Sequence, residues 1–550
     1  MRGDGAVRLI VTAAPGRASE LAGRLSRSQH RIVAAHPGIG AISIEARASA
    51  IADLAADPAV DEVSVDAPVK SEADEVGTLS GNMLLPTLAL PAGGLTGKGV
   101  GVAVVDSGIV SHPEIPVAAF YDFVNGGKAT KPLDTYGHGT HVAGLIADVQ
   151  KWSDARYRSL APGVRLIGPR ALNGDGAGYT STVIQAIEFA TANKAQLGID
   201  VLNVSLGHRI YEPAATDPLV RAVERAVAAG IVVVVSAGNE GINHQTGAPG
   251  YAGITSPGNA PSAITVGAVD TRNTVTRSDD EVPAFSSRGP TWFDAYAKPD
   301  LVAPGRRVVS FMAKNSAIYA RFPAYRVDVA KRTYMTLSGT SMSAAATSSV
   351  VALLIEASRS TNTQQRALPP NAIKAILQYT AVPLANVDPL TQGAGSLNAA
   401  GAIAVVRSID PTVSKGSWWL VSGVTPTTRL PNGEDVGWSQ EVFWGERVLT
   451  GDTIAVNQPA WATTIVWGNS LVWGNTIVWA NSLVWGNALV WGNTIVWGNA
   501  VLGCNANGTV MYGANVNWSS VDATALVWGN LSGASTAPTS NSVPQFTPIW

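Results

Sequence analysis

A single cysteine, Cys504, occurs in the 550 residues, so no intramolecular disulfide can staple the chain. Nothing basic surrounds it that would favour a thiolate, and it reads as a structural thiol rather than a nucleophile. Charge is sparse as well. Charged residues make up 14%, the net charge is −2, and no segment gathers Lys and Arg into a face for nucleic acid. Long apolar runs are missing: Ile231 to Val235 and Val350 to Ile355 fall far short of the ~20 residues of a spanning helix, so no transmembrane segment is expected. The opening Met1-Arg2-Gly3-Asp4-Gly5 has no apolar core of a secretory leader, so export would use another route or a longer precursor.

What is present divides into unlike regions, and the length allows several domains. Within residues 1–70, apolar runs at Val7 to Val11, Arg31 to Ala35, Ala41 to Glu45 and Val60 to Val65 predict strands. Helical stretches at Arg17 to Leu25 and Ala48 to Ala56 lie between them, which gives the βαββαβ order of a ferredoxin-like α+β unit. Residues 71–96 open acidic (Glu72, Asp74, Glu75) and continue without a period, as an exposed linker suited to a processing site would.

From residue 97 to 405 short apolar runs alternate with helical stretches. Val100 to Val105, Arg165 to Ile167, Val201 to Val204, Ile231 to Val235 and Ala263 to Val266 are the strand candidates. Runs apolar at nearly every position predict strands covered on both faces, hence a mainly parallel sheet in a three-layer α/β/α fold.

Residues 406–460 read as a connector and 461–550 as a β-rich C-terminal region. There a six-residue unit recurs from Thr464-Ile465-Val466-Trp467-Gly468-Asn469, with Trp467, Trp473, Trp479, Trp485, Trp491 and Trp497 evenly spaced. In a helix the period would scatter these rings, whereas in strands an even period keeps them on one face. A meander with Gly-Asn turns and a small β-solenoid both fit. The ladder reads best as a dry core.

Acyl transfer to water needs a nucleophile, a base, a group to orient the base and donors for an oxyanion. Asp106 follows the strand candidate Val100 to Val105 and precedes Ser107-Gly108, at the carboxyl edge of the sheet where sites gather. His138 lies among small residues in Gly137-His138-Gly139-Thr140-His141-Val142-Ala143-Gly144. Ser341, in Ser338-Gly339-Thr340-Ser341-Met342-Ser343-Ala344, should open a buried helix whose N–H groups favour negative charge. Asn239, in Val235-Ser236-Ala237-Gly238-Asn239-Glu240-Gly241, could donate its amide to an oxyanion. Singly, each residue is more often a turn, cap or structural residue. Their conjunction in order is what carries weight.

These four segments closely resemble, in type, order and spacing, the signature motifs of the subtilisin-like serine proteases, the subtilases or peptidase family S8. The resemblance implies a serine endopeptidase working through an acyl-enzyme on protein or peptide substrates. Ser341 is then the nucleophile, His138 the general base and acid, Asp106 its orienting partner, and Asn239 with the Ser341 N–H the oxyanion site. Segments Leu172 to Gly178 (with Gly174 and Gly176) and Asn203-Val204-Ser205-Leu206-Gly207 match its substrate-binding strands, which read backbone more than side chains and imply broad specificity.

By the same resemblance, the N-terminal unit is an inhibitory propeptide that assists folding, occupies the cleft and is removed by autoprocessing. The protein is expected to be secreted or at the cell surface. Two departures stand out: no proline follows in Met342-Ser343-Ala344-Ala345-Ala346, and about five residues are added between Asn239 and Pro257.

Competing motifs are weaker. Gly97-Lys98-Gly99 has no Ser or Thr after the Lys and precedes a strand, unlike a P-loop, and Gly174, Gly176 and Gly178 do not make a dinucleotide fingerprint. His138 and His141 lack an HExxH context, so no catalytic metal or other cofactor is expected. Structural calcium is common in the resembled family; Asp122 or Asp134 could contribute, although no calcium-loop spacing exists. The alternative of another class is an exported binding or surface-assembly protein whose Trp repeat docks glycan, polymer or copies of itself.

Overall fold

A computed structural model describes residues 5–444 apart from segments at 72–82, 91–93, 149–156, 244–245, 330–331, 362–367 and 410–423, together with 447–450, 501–504, 510–512 and 526–527. The first unit comprises β1 (Ala6–Ala13), α1 (Ala18–Arg27), β2 (Arg31–His36), β3 (Ala41–Arg47), α2 (Ile51–Ala56) and β4 (Val60–Val65). Its sheet runs β2-β3-β1-β4 with every neighbour antiparallel. Alternation along β1 explains what each face does. Leu9 and Val11 pack with Leu21 and Leu25 of α1 and Leu54 of α2, while Ile10, between them, turns to the opposite face with Ile39 and Ala41 and meets the central domain.

Beyond β5 (Pro68–Ser71) and the short α3 (Leu84–Thr87), the central sheet takes β6 (Gly101–Val105), β7 (Val117–Asp122) and β8 (Lys128–Ala129). Helix α4 (His138–Ile146), β9 (Arg165–Arg170), β10 (Ala177–Tyr179), α5 (Thr180–Ala192) and α6 (Lys194–Leu197) follow. Next come β11 (Val201–Val204), β12 (Leu206–Arg209), α7 (Pro218–Ala228), β13 (Val232–Ser236), β14 (Thr255–Ser256), β15 (Ile264–Val269) and β16 (Leu301–Pro304). The eight-stranded sheet has the order β16-β15-β13-β11-β6-β9-β7-β8, and all its pairs are parallel except β7 with the edge strand β8.

Successive residues of one strand serve two cores. Val102 and Val104 of β6 join the cluster that holds Val142 of α4, whereas Ala103 and Val105 join the cluster built with Val183 and Ile187 of α5 and Val223 of α7. A strand in that position must be apolar at every residue.

The rest of the domain is β17 (Val308–Phe311), α8 (Ala317–Arg321), β18 (Arg326–Val329), β19 (Arg332–Leu337), α9 (Thr340–Thr361), α10 (Pro370–Tyr379), α11 (Pro389–Gln392) and α12 (Ala399–Ser408). Among the described residues α9 alone has the length and composition to cross a membrane, but 94% of its apolar window is buried inside the protein. It is a core helix, packed beneath β11, β13, β15 and β16.

The stretch 406–460, read from the sequence as a connector, is partly folded onto this domain. It supplies the hairpin β20 (Thr427–Arg429) and β21 (Asp435–Gly437), then β22 (Glu441–Trp444) paired with β23 (Arg447–Thr450). Trp438, Val442 and Phe443 are buried in the main core, and Gln378 of α10 both donates to Phe443 O (3.1 Å) and accepts from Phe443 N (2.6 Å). The packed unit therefore runs past residue 405. In the C-terminal region β24 (Val501–Cys504), β25 (Val510–Tyr512) and β26 (Leu526–Val527) form a small antiparallel sheet. The Trp repeat from Thr464 to Trp497, with both readings of it, lies outside the described residues.

Candidate active site

Asp106 leaves the carboxyl end of β6, and its two oxygens lie 2.8 and 2.9 Å from Nδ1 of His138, both side chains being fully buried. An ionised carboxylate only accepts, so Nδ1 carries the proton and the neutral ring keeps its lone pair on Nε2. Glycines permit this approach. A Cβ on Gly139 would lie 2.2 Å from Gly108 O and 3.0 Å from the Asp106 Cβ, and Gly137, at φ +108°, turns the chain into α4.

Asp134 ties the two loops together. It accepts from Ser107 Oγ (3.0 Å), Tyr136 N (3.1 Å), Gly137 N (2.7 Å) and Thr140 N (2.9 Å) and Oγ1 (2.6 Å). Burial pushes its carboxyl pKa up, with the Thr140 hydrogen bond opposing the shift. Asp122 accepts from Arg170 at 2.9 Å, and also from Val124 N and Asn125 Nδ2. Both carboxylates raised above as calcium ligands are thus engaged by protein donors and do not fit a cation. His141 donates to Met335 O through Nε2 (3.0 Å), and burial pulls its pKa down to about 3, which keeps the ring neutral within the core.

Ser341 is the second residue of α9, after Gly339 at φ +152°. Its hydroxyl donates to Ser205 O at 3.3 Å, and Ser205 Oγ donates to Ser341 O at 3.2 Å. Asn203 Nδ2 donates to Ser205 Oγ at 2.8 Å and its Oδ1 accepts from Ser348 Oγ at 2.9 Å, so the helix is stitched to β11 along two turns. Where the resembled motif has a proline, hydroxyls fix the first turn instead: Ser343 Oγ donates to Ala303 O at 2.9 Å.

Asn239 follows β13. Its Oδ1 accepts from Thr340 N (3.0 Å) and Oγ1 (3.1 Å), which fixes the amide plane at the start of α9. The other end, Nδ2, is buried without a hydrogen-bond partner. Leaving a buried donor unsatisfied costs about 1–3 kcal/mol, a cost consistent with a donor held ready for a ligand atom.

Of the predicted substrate-binding residues, Gly176, Leu206 and Gly207 face an inserted strand. β5 lies between β10 and β12, antiparallel to both, with Ala177 opposite Lys70, Leu206 opposite Ser71 and Gly207 opposite Lys70. Gly176 O accepts from Ser71 N at 3.0 Å. Ser205 sits one residue before β12, bonded to Ser341. Gly174 stands apart, in the turn where Asn173 Oδ1 accepts from Asp175 N and Ala177 N, and it makes no pairing with β5. Ala177 and Gly178, within the segment matched from the sequence, pair with β5; sequence reasoning missed Tyr179, which pairs beside them, and Tyr136, whose ring packs on Gly176. The position of Tyr179 directly after that segment was the available signal.

The sequence model for the Subtilase family matches residues 97–408, more than half of the chain. The chain belongs to the subtilase family and is a serine endopeptidase of the subtilisin type. It is 40% identical over 316 residues to Serine protease AprX of Bacillus subtilis (strain 168), covering 56% of this chain and 67% of AprX. To Subtilisin DY of Bacillus licheniformis it is 34% identical over 265 residues, 48% of this chain and 79% of that protein. The crystal structure of fervidolysin from Fervidobacterium pennivorans, a keratinolytic enzyme related to subtilisin, shares the fold with a TM-score of 0.57 at 22% identity, over 73% of this chain and 62% of that one.

Proposed function

We propose that Asp106, His138 and Ser341 are the catalytic triad and that Asn239 supplies the oxyanion donor. Ser341 Oγ attacks the scissile carbonyl carbon as His138 Nε2 takes its proton, and Asp106 stabilises the imidazolium through Nδ1–H. The oxyanion accepts from Asn239 Nδ2 and the Ser341 N–H, at the N-terminal end of α9. Collapse breaks the C–N bond, and His138 protonates the departing amine. Water, deprotonated by the same ring, then releases the acyl group and restores Ser341. The observation that carries the reading is the Asn239 amide, anchored through Oδ1 with Nδ2 buried and unsatisfied.

The same reading makes the chain an autoprocessed precursor. β5 takes the place of an extended substrate between β10 and β12, and its C-terminal end, Ser71, sits opposite Leu206 beside Ser205. The first cut is assigned to the linker that begins after Ser71. Pairing through backbone atoms supports broad specificity, with an apolar preference where Val69 is fully buried. Export to the cell exterior is carried over from the family. Wild type should mature, with a new N-terminus between residues 72 and 96, and cleave casein. Ser341→Ala should stay full length, and an alanine variant that matures and cleaves like wild type would refute the assignment. Asn239→Ala should lose about 10²–10³ in kcat with a small change in KM.

A further inference from the structure

Asn239 stands between glycines, in Gly238-Asn239-Glu240-Gly241 just past the end of β13. Glycine restrains its own backbone least of all residues, so this segment does little by itself to fix the path that carries the Asn239 side chain. The bonds from Thr340 hold only Oδ1. The peptide groups on either side of Asn239 need an anchor from elsewhere.

Ser287 supplies it from a distant part of the chain. Its N–H donates to Gly238 O at 3.0 Å, and its Oγ accepts from Glu240 N at 3.0 Å. One fully buried residue therefore holds the carbonyl before the Asn239 Cα and the N–H after it. The approach needs glycine at 238, which has φ +108° and where a Cβ would come within 2.7 Å of Ser287 Oγ.

The segment that carries Ser287 is itself fastened. Ser286 Oγ accepts from Ala268 N of β15 at 2.9 Å. Phe285 O accepts from Gly241 N at 2.9 Å, and Arg288 Nη1 donates to Gly241 O at 3.0 Å. Gly241 has no room for a side chain either, since a Cβ there would lie 2.2 Å from Ser286 O. Asn239 is thus tied to the central sheet twice, directly through β13 and through Ser286 and Ser287 to β15.

We propose that Ser287 is a positioning residue for the oxyanion donor: by holding both peptide groups of Asn239 it sets where Nδ2 lies relative to the Ser341 N–H. The proposal rests on the reading of Asn239 as that donor. A misplacement of about 1 Å in a reacting geometry costs about 10²-fold, and an oxyanion donor is worth about 10²–10³ in kcat, which bounds what Ser287 can contribute.

Ser287→Ala removes one buried oxygen and leaves the N–H bond to Gly238 in place. The test is a double-mutant cycle on the first-order self-cleavage of the full-length precursor: wild type, Ser287→Ala, Asn239→Ala and the two together. Ser287→Ala should slow cleavage by about 10–100-fold, and in the Asn239→Ala background it should add less than about twofold. On peptides the matured Ser287→Ala enzyme should lose kcat by a like factor, with KM within about twofold of wild type. An unslowed Ser287→Ala, the same factor in both backgrounds, or a loss carried by KM overturns the proposal. An unslowed Asn239→Ala strikes the oxyanion reading and this proposal with it. A wild type that leaves its own chain intact strikes the precursor reading instead, and the kcat and KM of Ser287→Ala on peptides then decide.

Discussion

Asp66 caps helix α5 from outside the central domain: its Oδ1 accepts the Ser181 N–H at 2.8 Å and its Oδ2 the Ser181 hydroxyl at 2.9 Å. Arg8 Nε donates to the same carboxylate at 2.8 Å, and Asp66 and Ser181 are buried while Arg8 is partly so. A negative charge at a helix N-terminus is stabilised by the backbone N–H groups and the helix dipole, so this one residue joins the N-terminal unit to the enzyme. Asp66→Ala leaves Arg8 and the α5 donors without their acceptor, at about 1–3 kcal/mol. The inhibition constant of residues 1–71 added to the mature enzyme should rise by roughly ten- to a hundredfold.

The same interface should titrate. Glu212 accepts from Ser64 Oγ at 3.0 Å across it, and burial, reinforced by the charges of Asp217 and Glu62, raises its pKa from 4.5 to about 7. In the released enzyme the carboxyl meets water and returns toward 4.5. The complex then holds a proton that the separated parts do not, so inhibition weakens as pH rises from about 4.5 to about 7 and levels off above. Inhibition constants measured across that window should climb by at most about tenfold per pH unit, and Glu212→Gln should flatten the climb.

Two buried lysines share one aspartate at the edge of the sheet. Lys298 Nζ lies 2.7 Å from Asp300 Oδ2 and Lys374 Nζ lies 3.0 Å from Oδ1, all but inaccessible to water. Burial pulls the Lys298 pKa below 10.5, with Asp300 opposing the shift. The unfolded chain therefore holds a proton that the folded one gives up earlier, and this group adds stability as pH rises toward 10.5. Asp300→Asn strands two ammonium groups and should cost about 3–5 kcal/mol, whereas Lys298→Met leaves the Lys374–Asp300 pair and should cost under about 1.5 kcal/mol. Chemical denaturation of a Ser341→Ala background reads both.

The C-terminal boundary makes a sharper claim about truncation. A chain ending after Thr450 keeps Trp438, Val442 and Phe443 in the core and both Gln378 bonds to Phe443. It should retain peptide hydrolysis and Tm. One ending after Ser408 uncovers α10 and should lose several kcal/mol, since burying each large apolar side chain contributes about 1.5–3 kcal/mol. Equal Tm values for the two would contradict the packing.

Much of this was legible in the sequence for physical reasons. A strand such as Gly101 to Val105 that feeds two cores has no polar residue to disguise it, and Asp106, His138, Asn239 and Ser341 each lie within two residues of a glycine at positive φ. β5 was invisible because Pro68-Val69-Lys70-Ser71 is short, begins with proline and pairs only with strands more than 100 residues away. Gly174 shared the glycine pattern of Gly176 but falls on the far side of the turn. Tyr136 carries no local signature, since its contact with Gly176 exists only in the fold. The anchoring of Phe443 by Gln378 is equally non-local, which is why 424–444 looked like a connector.

The central claim is that Ser341 is the nucleophile. Treating the mature enzyme with a fluorophosphonate and locating the adduct by peptide mass spectrometry tests it most directly. The account predicts one adduct, on Ser341, whose formation parallels loss of peptidase activity and which is absent when Asp106→Ala removes the partner of His138. Stoichiometric labelling of another residue, or full inactivation with Ser341 unmodified, would contradict it.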